Sequence, residues 1–283
     1  MGQKRRGNAW EVLLPFIIYY VVHDASLFIL IFLCDKIMAD SGNGSGGYMQ
    51  ANAQMMTIFI SATAMIIGVL PLLPMLKREL AFHGDILYSK VYTKEKSKKT
   101  GIKITHVFLT IILALSASVG ANILMTLTGF LQVSTAFQEV AGRQYQAVFG
   151  VGVIFYGLFS PIIEEIVFRG LVFNRLRDYY PASVAVLLSG ILFGAYHGNL
   201  VQGVYGGCMG ILIAYLYLRM DSFMIPCLFH AVANLAVYTL MKNEELYAKI
   251  FAAPNSVILL VILSAAFAAG VYALERLRVD AAK

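Results

Sequence analysis

Eight apolar runs constrain this chain more than any other feature. A helix needs about 20 mostly apolar residues to cross the hydrocarbon core of a bilayer. Runs of that order lie at 11–34, 53–76, 102–131, 148–177, 181–198, 202–219, 223–241 and 255–274. In lipid the backbone must satisfy its own polar groups, and runs of this length do so as helices. The expected fold is therefore all-α: a polytopic membrane protein of about eight transmembrane helices, one integral membrane domain over 1–283. The chain is 59% hydrophobic and only 13% charged, with a mean hydropathy of +0.73. Ordinary soluble domains carry about 25% charged residues, so no soluble domain of useful size is expected.

The basic residues set an orientation. With the N-terminus placed in the cytoplasm, eighteen of the 22 Lys and Arg fall on the inner side. They include Lys4, Arg5 and Arg6, eight residues between Lys77 and Lys103, and Arg276, Arg278 and Lys283. Lys36, Arg143, Lys242 and Lys249 are left outside. This asymmetry follows the positive-inside rule and puts both termini in the cytoplasm. It also accounts for the net charge of +6 without invoking nucleic acid. The basic stretch 77–103 reads as a loop that touches anionic lipid, and Ser41–Gly47 reads as a flexible external linker. The N-terminal apolar run is too long for a signal-peptide core and is expected to be retained. Compact loops and modest length fit an integral multi-pass protein of a bacterial plasma membrane.

Cys34, Cys208 and Cys227 are odd in number, in apolar surroundings and without a C-x-x-C pair. Neither a disulfide framework nor a thiolate metal site is indicated, and all three read as small buried residues. Glycines recur at four-residue spacing at 190, 194 and 198, at 203 and 207, and at 206 and 210. Such spacing lets helix backbones approach closely in lipid, so the second half of the chain should be tightly packed. No internal repeat is visible, which argues against a transporter built from two related halves.

Charge inside an apolar run is costly and marks a functional site by default. Glu164, Glu165 and Arg169 lie in the fourth run, where Pro161 suggests a break. Glu165 and Arg169 are four residues apart and share a helix face, so they can pair. Glu164 is rotated from them, lacks a local countercharge and suits a general base. Phe193 and His197 share a face of the fifth helix. His230 and Asn234 share a face of the seventh and offer two donors suited to an oxyanion. His23 and Asp24 in the first helix read as packing or cavity lining, and His83 and His106 as flanks of the basic stretch. Counted from the presumed inner helix ends, His197 would lie roughly 13 Å deeper than His230 at 1.5 Å per residue.

The chain resembles a known family at these residues. Glu164-Glu165-Ile-Val-Phe-Arg169 fits E-E-x-x-x-R, Phe193-Gly-Ala-Tyr-His197 fits F-x-x-x-H, and His230-Ala-Val-Ala-Asn234 fits H-x-x-x-N. In this order they resemble the type II CAAX prenyl endopeptidases and bacteriocin-processing enzymes of the CPBP, or ABI, intramembrane protease family. The resemblance covers a catalytic core of about 145–245, and the helices at 11–131 add only membrane spans to it. It implies a glutamate endopeptidase in which Glu164 and His197 activate a water. His230 and Asn234 would hold the oxyanion, and Glu165 with Arg169 would hold the site together. The substrate would be a membrane-associated peptide or protein. No cofactor is expected. Two His and two Glu could bind zinc in principle, but H-E-x-x-H is missing, so metal is not favoured. Two other functions compete: a non-catalytic regulatory or bacteriocin-immunity protein of the same fold, and a small transporter with Glu164 as its proton site. The oligomeric state is not legible in the residues.

Overall fold

A computed structural model describes residues 9–40, 53–85 and 102–281. Lys4–Arg6, the Ser41–Gly47 linker and most of the basic stretch 77–103 lie outside the described residues. Among the described residues, ten helices follow a short 3-10 turn at Ala9–Val12. They are α1 (Leu14–Asp40), α2 (Ala53–Phe82), α3 (Ile104–Leu127), α4 (Thr135–Gln146) and α5 (Phe149–Tyr179). Then come α6 (Ala182–Tyr196), α7 (Leu200–Met220), α8 (Met224–Lys242), α9 (Glu244–Phe251) and α10 (Asn255–Ala281). Seven of these described helices are long and apolar enough to cross a membrane, and α6 is a shorter apolar helix. The all-α polytopic reading stands.

The departures from the expected spans have local causes. Helix α6 ends early because Gly198 adopts a left-handed φ of 69°. Asn199 then caps α7, its side chain accepting from the Gln202 N–H at 3.0 Å. Helices α4 and α9 are amphipathic, which a hydropathy criterion does not register. Ser134 caps α4 by accepting from Phe137 N–H, and Asn243 caps α9 by accepting from Leu246 N–H. Acids open α9 and Lys249 closes it, as the helix dipole favours.

Helix α5 is the centre of the molecule. From Ile166 to Leu176 it is buried on every face. One core cluster joins it to α1, α2, α6 and α7, and a second joins α3, α7, α8 and α10. The outer helices carry large exposed side chains such as Phe28 and Ile262, which face the surroundings rather than protein.

Helix α2 runs on past the expected limit at residue 76. Pro71 and Pro74 each sit in the first turn of a helical segment, where a missing N–H costs nothing. The extension places Glu79 against Arg175, whose Nε donates to Oε1 at 2.9 Å, while Arg175 Nη1 donates to the Glu11 carbonyl. His83 is not a bystander: its ring bonds the Glu79 carbonyl and the Asp178 carboxylate at 2.9 Å. Asp85 accepts from the Tyr217 hydroxyl and the Phe223 N–H. These acids looked like loop charges, but they are buried partners that tie the end of α2 to α5 and α7. The cysteines also depart from expectation. None is fully buried and Cys208 is exposed, because an apolar residue in a membrane protein can face lipid instead of core.

The glycines do bring α6 and α7 together. A Cβ on Gly194 would lie 2.3 Å from the Gly203 carbonyl oxygen and 2.9 Å from Gly207 N. Gly198 is different, since a Cβ there would meet nothing and its role is the left-handed turn. Gly194→Ala should therefore push the two backbones apart and destabilise the protein by about 1–3 kcal/mol or more. Gly203→Ala, with its nearest atom at 3.7 Å, should leave the melting temperature unchanged. Thermal melts of the two detergent-solubilised variants check this, and equal melting temperatures would refute it.

Candidate active site

The paired acids occupy an α-helical turn, Ser160–Glu165, between two π-helical stretches at Val153–Phe159 and Ile166–Phe173. A π turn carries an extra residue, re-aims the side chains around it and recurs at functional sites. Pro161 lies in the first turn of the α segment, so the expected break does not occur and α5 runs through.

Glu165 is fully buried. Its Oε1 accepts from Arg169 Nη1 at 2.9 Å and from His230 Nδ1 at 2.7 Å. The pairing with Arg169 follows from the spacing. The bond to His230 joins α5 to α8 and is not legible in either motif. Arg169 Nη2 donates to the Gly210 carbonyl at 3.1 Å, and the guanidinium stacks 4.5 Å above the Phe193 ring. A Cβ at Gly210 would come within 3.0 Å of Arg169 and of Phe193. The glycine in α7 is thus the opening through which the buried cation reaches a backbone acceptor.

Glu164 faces the other way. Its Oε1 accepts from Ser160 Oγ at 2.6 Å, and its Oε2 lies 3.8 Å from His230 Nε2. Ser160 was not anticipated, although its spacing of four residues from Glu164 is a readable signal. His197 caps α6, and its Nδ1 bonds the Phe193 carbonyl at 2.9 Å. A carbonyl only accepts, so Nδ1 carries a proton and the neutral ring presents Nε2 as a lone pair. The same logic gives His230 a proton on Nδ1. Asn234 Nδ2 donates to the Tyr156 carbonyl at 3.0 Å, which leaves one amide hydrogen free.

The expected depth difference between the histidines is absorbed by Phe193. Both imidazoles pack edge-on against its ring, with centroids at 5.0 Å for His197 and 5.5 Å for His230. Glu164, His197, His230 and Asn234 all line one cavity of about 420 Å³, together with Ser160, Tyr156 and Tyr196. Glu165 and Arg169 stand behind its wall. The remaining lining is mostly apolar and tyrosyl, reaching α4 through Phe137 and Tyr145. Burial, with Tyr238 and Tyr247 nearby, pushes the Tyr145 phenol up to about 12, so that wall is neutral at physiological pH. His23 and Asp24 do not line the cavity; they bond each other at 2.8 Å in α1. Among the described residues no three His, Cys, Asp or Glu are grouped to hold a metal ion.

A carboxylate, two imidazoles and a carboxamide thus surround one internal cavity of a helical membrane domain, a set of groups able to exchange protons and to donate hydrogen bonds. Residues 146–236 match the family described as type II CAAX prenyl endopeptidase Rce1-like, a segment that contains all three motifs. The chain is also 29% identical over 136 residues to a protein of Bacillus subtilis (strain 168) named "Putative membrane peptidase YdiL". That match takes in 41% of this chain and 55% of the relative, so it spans about half of the relative's length. Both findings make part of this chain similar to membrane peptidases. No solved structure matches the chain.

Proposed function

We propose that the protein is a glutamate-type endopeptidase that hydrolyses a peptide bond of a membrane-associated peptide or protein. The observation that carries this reading is the convergence of Glu164, His197, His230 and Asn234 on one cavity. Glu164 Oε2 and His197 Nε2 are the two unprotonated atoms suited to draw a proton from a water. The hydroxide attacks the scissile carbonyl carbon, forming the C–O bond as charge moves to the carbonyl oxygen. Asn234 Nδ2–H and His230 Nε2–H donate to that oxyanion. His230 can donate there only with both ring nitrogens protonated, because its other proton already points at Glu165. The proton held by Glu164 then passes to the amide nitrogen as the C–N bond breaks. Glu165 and Arg169 act by fixing the His230 ring.

This mechanism needs no metal, and purified enzyme should keep its peptidase activity after exhaustive chelation. Assays of an internally quenched peptide library in proteoliposomes, before and after chelation, check both parts. Activity lost to a chelator and restored by zinc would overturn the water-activation scheme. A library left uncut by the intact protein, with a cellular phenotype that still depends on Glu164, would favour the regulatory reading instead.

A further inference from the structure

Two tyrosine hydroxyls, of Tyr196 and Tyr19, stand beside each other close to the Glu164 carboxylate. Tyr196 is the last residue of α6, and it lines the cavity beside His197. Its ring is boxed by Phe16 at 6.2 Å, Tyr20 at 6.5 Å and Phe168 at 5.4 Å, so its direction is set from three sides. Tyr19 of α1 is 2% exposed and its hydroxyl makes no hydrogen bond. That hydroxyl neighbours the one on Tyr196 without reaching ordinary bonding geometry, and both lie within the field of Glu164.

Tyr19 is itself held firmly. It stacks on His23 at 5.5 Å. Helix α2 closes on the pair at Gly68, where a Cβ would come within 3.0 Å of His23 and 3.1 Å of Tyr19. Buried hydroxyls normally find a partner, and one left without calls for a water or a ligand. Ring packing alone does not require either oxygen, since phenylalanine would fill the same space without the desolvated hydroxyl.

We propose that Tyr196 and Tyr19 form an oxygen-binding subsite beside Glu164. The Tyr196 hydroxyl donates to an acceptor oxygen in the cavity, and Tyr19 positions that hydroxyl from α1. The acceptor is either a backbone carbonyl of the substrate next to the scissile bond or the attacking water. The subsite rests on the peptidase reading, and it gives the first helix, which lies outside the matched segment, a part in the reaction.

The test uses the full chain in proteoliposomes and the best-cleaved member of an internally quenched peptide library. kcat, KM and melting temperature are measured for the intact protein, Tyr196→Phe, Tyr19→Phe and, as control, Glu164→Gln. Tyr196→Phe should lose about 3- to 10-fold in kcat/KM, the effect of one neutral hydrogen bond. A loss in KM with kcat kept assigns the acceptor to the substrate carbonyl, and a loss in kcat assigns it to the water. Tyr19→Phe should lose about 2- to 3-fold and melt no lower than the intact protein, because it removes the oxygen beside the Tyr196 hydroxyl but keeps the ring and breaks no ordinary hydrogen bond. Unchanged kcat/KM in Tyr196→Phe, beside an inactive Glu164→Gln, overturns the subsite and leaves the peptidase reading intact. Losses that only track lowered melting temperatures overturn the subsite as well. A Glu164→Gln protein as active as the intact one, or a library left uncut by the intact protein, sinks the peptidase reading and the subsite with it.

Discussion

Replacing Glu164 by glutamine should lower peptide cleavage by on the order of 10⁴-fold, the upper end of what a positioned base supplies. The size follows from the proposed mechanism, in which one carboxylate serves twice, first as the base that takes the proton of water and then as the acid that returns it to the leaving amine. Glutamine can do neither at any working pH. Its carbonyl can still accept from Ser160, which now donates to Oε1 at 2.6 Å. The buried guanidinium keeps its partner, because Arg169 pairs with Glu165. The variant should therefore fold in normal yield and melt at or above the temperature of the intact protein. Cleavage kinetics and a thermal melt on the same preparation decide the matter. Wild-type turnover by this variant would falsify the assignment.

Glu165→Gln should fail differently, losing stability and activity together. One oxygen of Glu165 accepts from both Arg169 and His230, and the other is buried with no hydrogen-bond partner. The amide would keep an acceptor on the first side but strip the charge facing a fully buried guanidinium. It would also set an N–H₂ donor where nothing accepts. Breaking a buried ion pair from one side costs on the order of 3–5 kcal/mol, so folded yield and melting temperature should fall. Activity should fall as well, since His230 then bonds a neutral amide in place of the carboxylate that fixes its ring. Glu165→Leu combined with Arg169→Met separates the two effects. Removing both charges should recover most of the melting temperature, yet cleavage should stay low because His230 has no carboxylate to orient it. Recovery of both, or of neither, would show that the pair does not act through His230.

These two outcomes separate neighbours that the primary structure presents as a single Glu-Glu step. Successive residues on a helix point about 100° apart, so that the two acids face different surroundings is legible from spacing. The pairing of Glu165 with Arg169 is legible in the same way, since residues four apart meet. Ser160 on Glu164 obeys that rule too and could have been read. The bond from Glu165 to His230 could not. It joins residues 65 positions apart on separate helices, and nothing local fixes their relative height or rotation. Placing His197 far deeper than His230 failed for that reason. That placement counts residues from helix ends, whereas the actual heights depend on where the side chains pack against Phe193.

A similar division runs through the rest of the molecule. Long apolar runs determine helices that cross a membrane, because lipid offers the backbone no other partners. The small-residue spacing determines that α6 and α7 can touch. Hydropathy stops at Lys77 and reads Glu79, His83 and Asp85 as solvated. Only the packed structure supplies Arg175, Asp178 and the Phe223 N–H that make their burial tolerable. The three motifs by themselves determined which residue types the site holds and their order along the chain. The tertiary structure decided that they share one cavity, that Gly210 opens a path for Arg169, and that Tyr19 of the first helix stands beside Tyr196. The physical reason is the range of the forces involved. Periodicity and backbone hydrogen bonding act over a few residues and are written in the chain, whereas a site built from α1, α5, α6, α7 and α8 exists only once packing has set their heights and rotations.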